Sequence, residues 1–237
     1  MPSMRLDKLI SDCGLASRKD IKQMIKSGRV SVDGVVAASP EQKVDPELNR
    51  VSVDGEELGY AKYRYYMLNK PEGVLSATDD GKQKTVLNLV TPEMRKMGLF
   101  PVGRLDKDTT GLLLLTNDGE FAHWIISPKS GIVKTYRAET EGCINTDDIK
   151  AFNDGIVLAD GTKCLPAELV LLSDGACLVK VMEGKYHQVK RMLASRGKPV
   201  LSLERISVGE VELDESLPRG AFRELTADEL CRLMKKK

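Results

Sequence analysis

The sequence of 237 residues predicts an α+β protein with two domains, a small one over residues 1–60 and a larger one over residues 61–237. Short segments rich in β-forming residues alternate with short amphipathic helical segments, without the regular βαβ spacing of parallel-sheet proteins. Asp-Gly turns between such segments are typical of antiparallel hairpins. We therefore expect the larger domain to contain a mainly antiparallel mixed β-sheet with flanking helices.

The composition narrows the class of protein. Apolar residues make up 41% of the chain and charged residues 30%, as in soluble globular proteins. The sequence shows no apolar signal segment, and no run approaches the roughly 18 apolar residues of a membrane span. A cytoplasmic protein without membrane contact is therefore expected. Five scattered cysteines and two histidines indicate neither a disulfide framework nor a metal site.

Two short helices are predicted near the N-terminus. The first begins at about Leu6 and ends at Gly14, and the second begins at the capping residue Ser17 and ends at Gly28. On one face of the second helix, basic residues recur every four positions: Arg18, Lys22 and Lys26. Such a face suits contacts with phosphates, although an ordinary solvated helix has the same pattern.

Short strands are predicted to follow these helices. Asp33-Gly34 and Asp54-Gly55 each come after an alternating apolar segment, which is a strong signal for a hairpin turn. The polar segment Gly55–Lys62 carries two glycines. It is predicted to link the two domains.

The stretch Gly103-Arg104-Leu105-Asp106 is central to the larger domain. The apolar segments Leu99–Val102 and Leu112–Leu115 flank it, which predicts a strand, a tight loop and a second strand. Loops held by rigid elements often carry functional groups, although a polar turn between two core strands has the same pattern. Other elements are predicted in this order: a strand Tyr63–Leu68 turned by Asn69–Gly73, a helix Glu120–Ile126, a strand Thr135–Thr140, a helix from Thr146 to Gly155, a hairpin of Leu165–Leu172 and Ala176–Met182 around Asp174, a helix Gln188–Arg196, strands Val200–Leu203 and Ile206–Val211, and a helix from Thr226 to Lys235-Lys236-Lys237.

Basic charge is concentrated in two parts of the chain. The formal net charge is only +1, yet basic residues outnumber acidic ones in residues 1–30 and 185–205. Clusters of this kind indicate surfaces for an anionic polymer, although charge runs are also ordinary solvated faces. Neither a P-loop nor a Gly-x-Gly-x-x-Gly segment is present, so no nucleotide cofactor is expected.

Two further segments accompany Asp106. Lys134-Thr135-Tyr136-Arg137-Ala138 places an aromatic ring between two cations on a predicted strand, and Glu183–Met192 begins a helix with basic residues. Taken singly, each has a structural explanation. Tyr136 fits a half-buried strand residue, and Lys190 fits a solvated helix face.

The N-terminal stretch from Arg5 to about Leu58 resembles an S4 RNA-binding domain. The patterns Arg5-Leu6-Asp7-Lys8, Ser17-Arg18 and Gly28-Arg29-Val30 carry this resemblance. It implies RNA contact through five basic residues: Arg5, Arg18, Lys22, Lys26 and Arg29.

The segments with Asp106, with Tyr136 and with Lys190, in this order, resemble the pseudouridine synthases. Asn69-Lys70-Pro71-Glu72-Gly73 and Gly103-Arg104-Leu105-Asp106 are typical of the branch that modifies ribosomal RNA and carries an S4 domain. The match covers nearly the whole chain and looks closest to the small-subunit member, which acts on 16S rRNA. One departure is Lys190, where many relatives carry arginine.

The resemblance implies a role for each of these residues. Asp106 would be the essential carboxylate, acting as nucleophile or as base, with Lys190 as its cation. Tyr136 would stack on the target ring, and Arg104 would enter the space left by a flipped base. Lys134 and Arg191 would contact RNA. The isomerisation oxidises nothing and imports no group, so no cofactor is expected. The implied partner of a monomeric enzyme is ribosomal RNA or a small-subunit assembly intermediate.

Three other interpretations remain open at this point. One is a pseudouridine synthase acting on 23S rRNA, and another is a non-catalytic rRNA-binding assembly factor, although such a factor would be expected to lose Asp106. The third is a sugar hydrolase that pairs Asp106 with Asp108 or Glu183, because that chemistry usually needs two carboxylates. Tritium release from C5-labelled uridine in RNA distinguishes these interpretations.

Overall fold

The computed structural model describes residues 3–46, 48–173 and 175–235. The chain forms two compact units, one made of the residues up to Arg64 together with Val90–Leu99, the other of Tyr65–Leu89 and the residues from Phe100 onward. Both units combine helices with mostly antiparallel strands. The predicted α+β class is confirmed.

The first unit packs helices against short strands. β2, β3, β5 and β6 form an antiparallel four-stranded sheet in the order β3-β2-β5-β6, and β1 pairs with β4. Its elements are β1 (Met4–Arg5), α1 (Leu6–Asp12), α2 (Arg18–Lys26), β2 (Val30–Val32), β3 (Val35–Val36), β4 (Lys43–Val44), β5 (Val51–Val53), β6 (Glu56–Glu57) and α3 (Pro92–Lys96).

Local sequence signals set the shape of this unit. Ser17 caps α2, as predicted, by accepting a hydrogen bond from the backbone N–H of Asp20. Both Asp-Gly pairs form the predicted turns, and each aspartate has a positive φ: 52° at Asp33 and 53° at Asp54. Leu6, Ile10 and Ile21 are fully buried against the sheet.

The second unit is built on one large sheet. Seven strands follow the order β11-β12-β10-β13-β9-β7-β15, with β14 beside β13 and β8 beside β9. Its strands are β7 (Tyr65–Lys70), β8 (Phe100–Pro101), β9 (Thr110–Thr116), β10 (Lys134–Thr140), β11 (Glu168–Ser173), β12 (Ala176–Val181), β13 (Val200–Val208), β14 (Val211–Glu212) and β15 (Phe222–Glu224). Its α-helices are α4 (Gly119–Ile126), α5 (Thr146–Asp154), α6 (Gln188–Ser195) and α7 (Ala227–Met234), with one-turn 3₁₀ helices at Val86–Asn88 and Pro128–Ser130.

Strand β9 lies inside this sheet and follows the loop that carries Asp106. Leu112–Leu115 are almost completely buried, which explains their continuous apolar sequence. β9 pairs in parallel with β13 at Thr110 and Gly111. A Cβ at Gly111 would lie 2.3 Å from the carbonyl oxygen of Arg205, so only glycine permits this approach.

Several predicted boundaries are wrong. Glu56–Glu57, predicted as linker, pairs with β5 because the preceding Asp-Gly turn closes a hairpin. Asn145, not Thr146, caps α5, since its side chain accepts from the N–H of Asp148. The two strands predicted around Val200–Val211 are one continuous strand, β13, followed by the short β14, because the polar residues between them stay in the ladder.

Some predicted features fall outside the described residues, namely Asp174 at the hairpin turn and Lys236 and Lys237 after the last helix. Within the part of the chain that the structure describes, no helix has the length and apolar character needed to cross a bilayer.

Candidate active site

Asp106 lies on the loop between β8 and β9, and the buried Lys70 holds this loop. The ammonium group of Lys70, at the end of β7, donates hydrogen bonds to main-chain carbonyls of the loop and of its own turn: Asp106 at 3.0 Å, Thr109 at 2.9 Å, Lys107 at 3.3 Å and Pro71 at 3.1 Å. Lys70 has no solvent exposure, and burial lowers its pKa to about 8.

Ser76 fixes the residue before Asp106. Its hydroxyl donates to the carbonyl of Leu105 at 2.8 Å and accepts from the N–H of Leu105 at 3.0 Å. Leu105 is itself buried. The backbone around Asp106 is therefore held on both sides, so its carboxylate is presented in a defined position.

Helix α6 and the residue before it bring two nitrogen-bearing side chains to this carboxylate. Lys190 Nζ lies 3.6 Å from Asp106 Oδ2, and His187 Nε2 lies 3.4 Å from Asp106 Oδ1. Lys190 also makes a close ion pair with Asp108, and this contact lowers the pKa of the Asp108 carboxyl. The pairing of Asp106 with Lys190 is thus present as a geometry, and its catalytic role stays a prediction.

His187 has an unusual backbone conformation. It precedes α6 with a φ of 47°, in the left-handed region that favours glycine. Its imidazole stacks on the ring of Tyr186 at a centroid distance of 3.8 Å, and Tyr186 is 75% exposed. This turn aims the imidazole at Asp106 and leaves an aromatic ring open to solvent beside it.

A cavity of about 650 Å³ adjoins Asp106. That volume is in the range of small-ligand sites. Its lining combines polar and apolar residues. The polar ones are Arg104, Asp106, Lys107, Lys134, Tyr136, Glu183, Lys185, Tyr186, His187 and Arg205, and the apolar ones include Val102, Leu114, Ile125, Ile126 and Val208. The cavity combines one central carboxylate with cations and an aromatic ring.

Tyr136 lies at this cavity beside a buried arginine. Arg205 Nη1 is 3.5 Å from the hydroxyl of Tyr136, and the guanidinium carbon is 6.0 Å from the ring centroid. Arg205 Nε donates to the carbonyl of Leu112 at 2.8 Å. The arrangement holds the tyrosine ring in a half-buried position at the border of the cavity.

Some of the remaining predicted residues line the cavity, and others lie elsewhere. Arg104 is exposed and lines the cavity, and Lys134 lines it from a buried position. Arg191 lies on α6 but is paired with Asp160 at 2.6 Å. The other predicted RNA contacts are in the first unit: Arg18, Lys22 and Lys26 are exposed on α2, Arg29 is bound to Asp54 at 2.7 Å, and Arg5 is bound to Asp7 and Glu41 at 2.8 Å each.

The carboxylates required by the sugar-hydrolase interpretation are not suited to it. Glu183 is 7% exposed and already binds Gln188 Nε2 at 2.8 Å and Lys185 Nζ at 2.8 Å. Asp108 has a lowered pKa beside Lys190, which opposes the role of general acid. Among the described residues, no group of three or more histidine, cysteine or acidic side chains is placed to hold a metal ion.

Sequence reasoning missed four residues of this site: Lys70, Ser76, His187 and Arg205. Lys70 lies in the Asn69–Gly73 motif and His187 in the Glu183–Met192 segment, and the sequence predicts no individual role for either residue. The one available signal is the position of Lys70 in the turn that follows the predicted strand Tyr63–Leu68. The burial of Arg205 depends on β9, which is distant in sequence.

Comparison with known proteins assigns the chain to a family. Residues 64–195 match the family model of RNA pseudouridylate synthases, and residues 4–49 match that of the S4 domain. The protein belongs to the RNA pseudouridylate synthase family and is an RNA pseudouridine synthase with an N-terminal S4 domain.

Its relatives cover almost the full chain. It is 42% identical over 233 residues to the ribosomal small subunit pseudouridine synthase A of Vibrio cholerae serotype O1, covering 98% of this chain and 100% of that protein. It is 45% identical over 231 residues to the uncharacterized RNA pseudouridine synthase YtzG of Bacillus subtilis, covering 96% and 97%. A crystal structure of a pseudouridylate synthase aligns with a TM-score of 0.70 at 35% identity, over 98% of this chain and 100% of that one.

Proposed function

We propose that this protein isomerises a uridine of 16S rRNA to pseudouridine, with Asp106 as the essential carboxylate. The observation that carries the proposal is the position of Asp106, fixed by Lys70 and facing a cavity of about 650 Å³. The names of relatives that act on the ribosomal small subunit support the choice of RNA.

The reaction detaches the base from C1′, rotates it and rejoins it through C5. Asp106 acts as nucleophile or as base, and Lys190 supplies the opposite charge at 3.6 Å. Tyr136 stacks on the target ring, since its half-buried face borders the cavity. A base in a duplex is out of reach, so the nucleotide is flipped, and the exposed Arg104 occupies the space left behind.

Residues 1–60 supply affinity for RNA in this proposal, and residues 61–237 supply the chemistry. The exposed cations of α2 neutralise phosphates, and Arg5 and Arg29 add contacts at the cost of their present ion pairs. The enzyme acts as a monomer in the cytoplasm, on 16S rRNA or on an assembly intermediate that contains it. The cavity beside Asp106 is lined by residues of the second unit of one chain, and this supports a monomer.

Tritium release from C5-labelled uridine tests this function. Purified 16S rRNA, purified 23S rRNA and partly assembled small-subunit particles are compared as substrates of the wild type and of Asp106→Asn. Asp147→Asn is the matched control, because Asp147 is exposed on α5. Release from the 16S substrates alone is expected. Release from 23S rRNA alone would show that 23S rRNA is the substrate. Tight binding without release would indicate a non-catalytic assembly factor.

A further inference from the structure

Lys134 is a buried cation that has no hydrogen-bond partner among the described residues. Its residue is 7% exposed, and its Nζ makes no hydrogen bond within the described chain. Arg205 is 5% exposed, and its guanidinium reaches a main-chain carbonyl and the hydroxyl of Tyr136. No ion pair to either cation occurs among the described residues. Within the described chain, the two buried positive charges therefore lie at the cavity without an ion pair to any carboxylate, although Asp106 and Glu183 line the same cavity.

The sheet places these groups side by side. Lys134 and Tyr136 are two residues apart on β10, so their side chains share one face of the strand. Tyr136 is the register partner of Arg205 on β13. All three line the cavity that contains Asp106. A ring stacked on Tyr136 would thus have both cations near its edge.

Such an arrangement is costly for the fold. Burial and the positive charge of Arg205 lower the pKa of Lys134 to about 8. Uncompensated buried cations are found where a ligand supplies the missing charge or oxygen atoms. In the proposed function this cavity holds the target uridine, so the negative charge that would balance Lys134 belongs to the RNA or develops on it during the reaction.

We propose that Lys134, together with Arg205, stabilises the negative charge that develops on the uracil ring when the C1′–N1 bond breaks. The electron pair of that bond passes to the ring and is shared among N1, O2 and O4. Formation of the C1′–C5 bond uses an electron pair of the ring, after which C5 loses a proton and N1 gains one. This inference rests on the proposed function and adds a catalytic group to it.

The surroundings favour the ring over a phosphate group. Val102, Leu114 and Val208 form the apolar part of the same cavity. A phosphate is charged before the reaction and is strongly hydrated, so an apolar wall opposes its entry. A flat base is neutral on entry and acquires charge only in the transition state, where a fixed cation in a dry site is most effective.

The test uses the full chain and separates the catalytic rate from RNA binding. Single-turnover tritium release at saturating 16S rRNA is measured for Lys134→Met, for Lys134→Arg and for the exposed control Lys150→Met. We expect Lys134→Met to slow the reaction by about 10²–10³-fold, as for loss of one oxyanion donor, with an unchanged dissociation constant. We expect Lys134→Arg to retain most of the rate and Lys150→Met to match the wild type.

Two further readouts distinguish catalysis from a structural role. Lys134→Met should raise the urea midpoint of unfolding, because an unpaired ammonium leaves the interior, whereas loss of a structural group would lower it. Wild-type kcat/KM should fall as the pH rises through about 8, where Lys134 loses its proton. Lys134→Arg should reduce that fall, and the part that remains in both proteins belongs to Lys70, whose pKa is also about 8 and which holds the Asp106 loop. The other groups at the cavity, namely Asp106, Tyr136, Lys185, His187 and Arg205, are the same in both proteins.

A Lys134→Met rate within about threefold of the wild type overturns the inference. An unchanged rate at saturation with weaker binding and a shallower salt dependence also overturns it, and assigns Lys134 to a phosphate instead. These outcomes require a wild type that forms pseudouridine. A wild type without tritium release from any ribosomal RNA would contradict the proposed function itself.

Discussion

The ammonium group of Lys70 donates a 3.0 Å hydrogen bond to the main-chain carbonyl of Asp106. A residue at the end of one strand thereby fixes the loop before another, and it does so from a fully buried position. The position of the Asp106 carboxylate therefore depends on a cation that does not line the cavity. Variants of Lys70 therefore test how the position of the loop affects the rate, while the carboxylate of Asp106 itself is unchanged.

Lys70→Met should lower the single-turnover rate by roughly 10–100-fold and leave RNA binding unchanged. The loop loses its hydrogen bonds to the ammonium, and a displacement of about 1 Å at a reacting group costs on the order of 10²-fold. Rates at saturating rRNA and dissociation constants measure the two effects. A rate equal to that of the wild type would show that Ser76 holds the loop alone.

The free energy of unfolding of the wild type, relative to that of Lys70→Met, should increase as the pH rises from about 8 to 10.5. The pKa of Lys70 is about 8 in the folded protein, below its ordinary value of 10.5, so in this window the unfolded chain binds more protons. Loss of the proton in the folded state therefore stabilises the wild type relative to the variant, by up to about 1.4 kcal/mol per pH unit. Urea unfolding of both proteins at pH 8, 9 and 10 measures this difference, and a difference that decreases with pH would contradict the prediction.

Lys190→Met should reduce the rate strongly, because Asp106 loses its cation at 3.6 Å. The pKa of Asp108, which Lys190 holds down, should return toward its usual range. Lys190→Arg should restore much of the activity by replacing the charge. Rates of the three proteins test the pairing, with Lys150→Met as the matched surface control; equal rates for all would show that Lys190 is dispensable.

Replacing Arg18, Lys22 and Lys26 together by glutamine should weaken rRNA binding and flatten its salt dependence. Three fewer neutralised phosphates reduce the slope of log K against log salt by about 2–3. The rate at saturating RNA should be unchanged, since these residues lie in the first unit. An unaltered slope would contradict an RNA-binding role for α2.

Gly111→Ala should destabilise the protein by more than about 4 kcal/mol, because its Cβ would clash with the main chain of Arg205. Gly161→Ala is the matched control, with a positive φ of 81° and open space at its Cβ, and should cost only about 1–2 kcal/mol. The free energies of unfolding of both variants in urea compare the cost of the steric clash with the cost of backbone strain alone. Equal losses would show that the clash is relieved by a shift of β9.

The features predicted from the sequence are those with local causes. The Asp-Gly turns at Asp33 and Asp54 and the buried strand Leu112–Leu115 follow from backbone preference and periodicity, and the structure has them. The buried cations Lys70 and Arg205 could not be predicted. Charged residues are usually exposed, and most of the carbonyls that bind these two come from chain segments far away in sequence.

The central claim is that the carboxylate of Asp106 performs the chemistry. Asp106→Asn preserves the size of the side chain and removes its charge, so single-turnover tritium release from C5-labelled 16S rRNA tests the claim most directly. The account predicts no release above background, with a dissociation constant for rRNA close to that of the wild type. Release within about tenfold of the wild-type rate would contradict it.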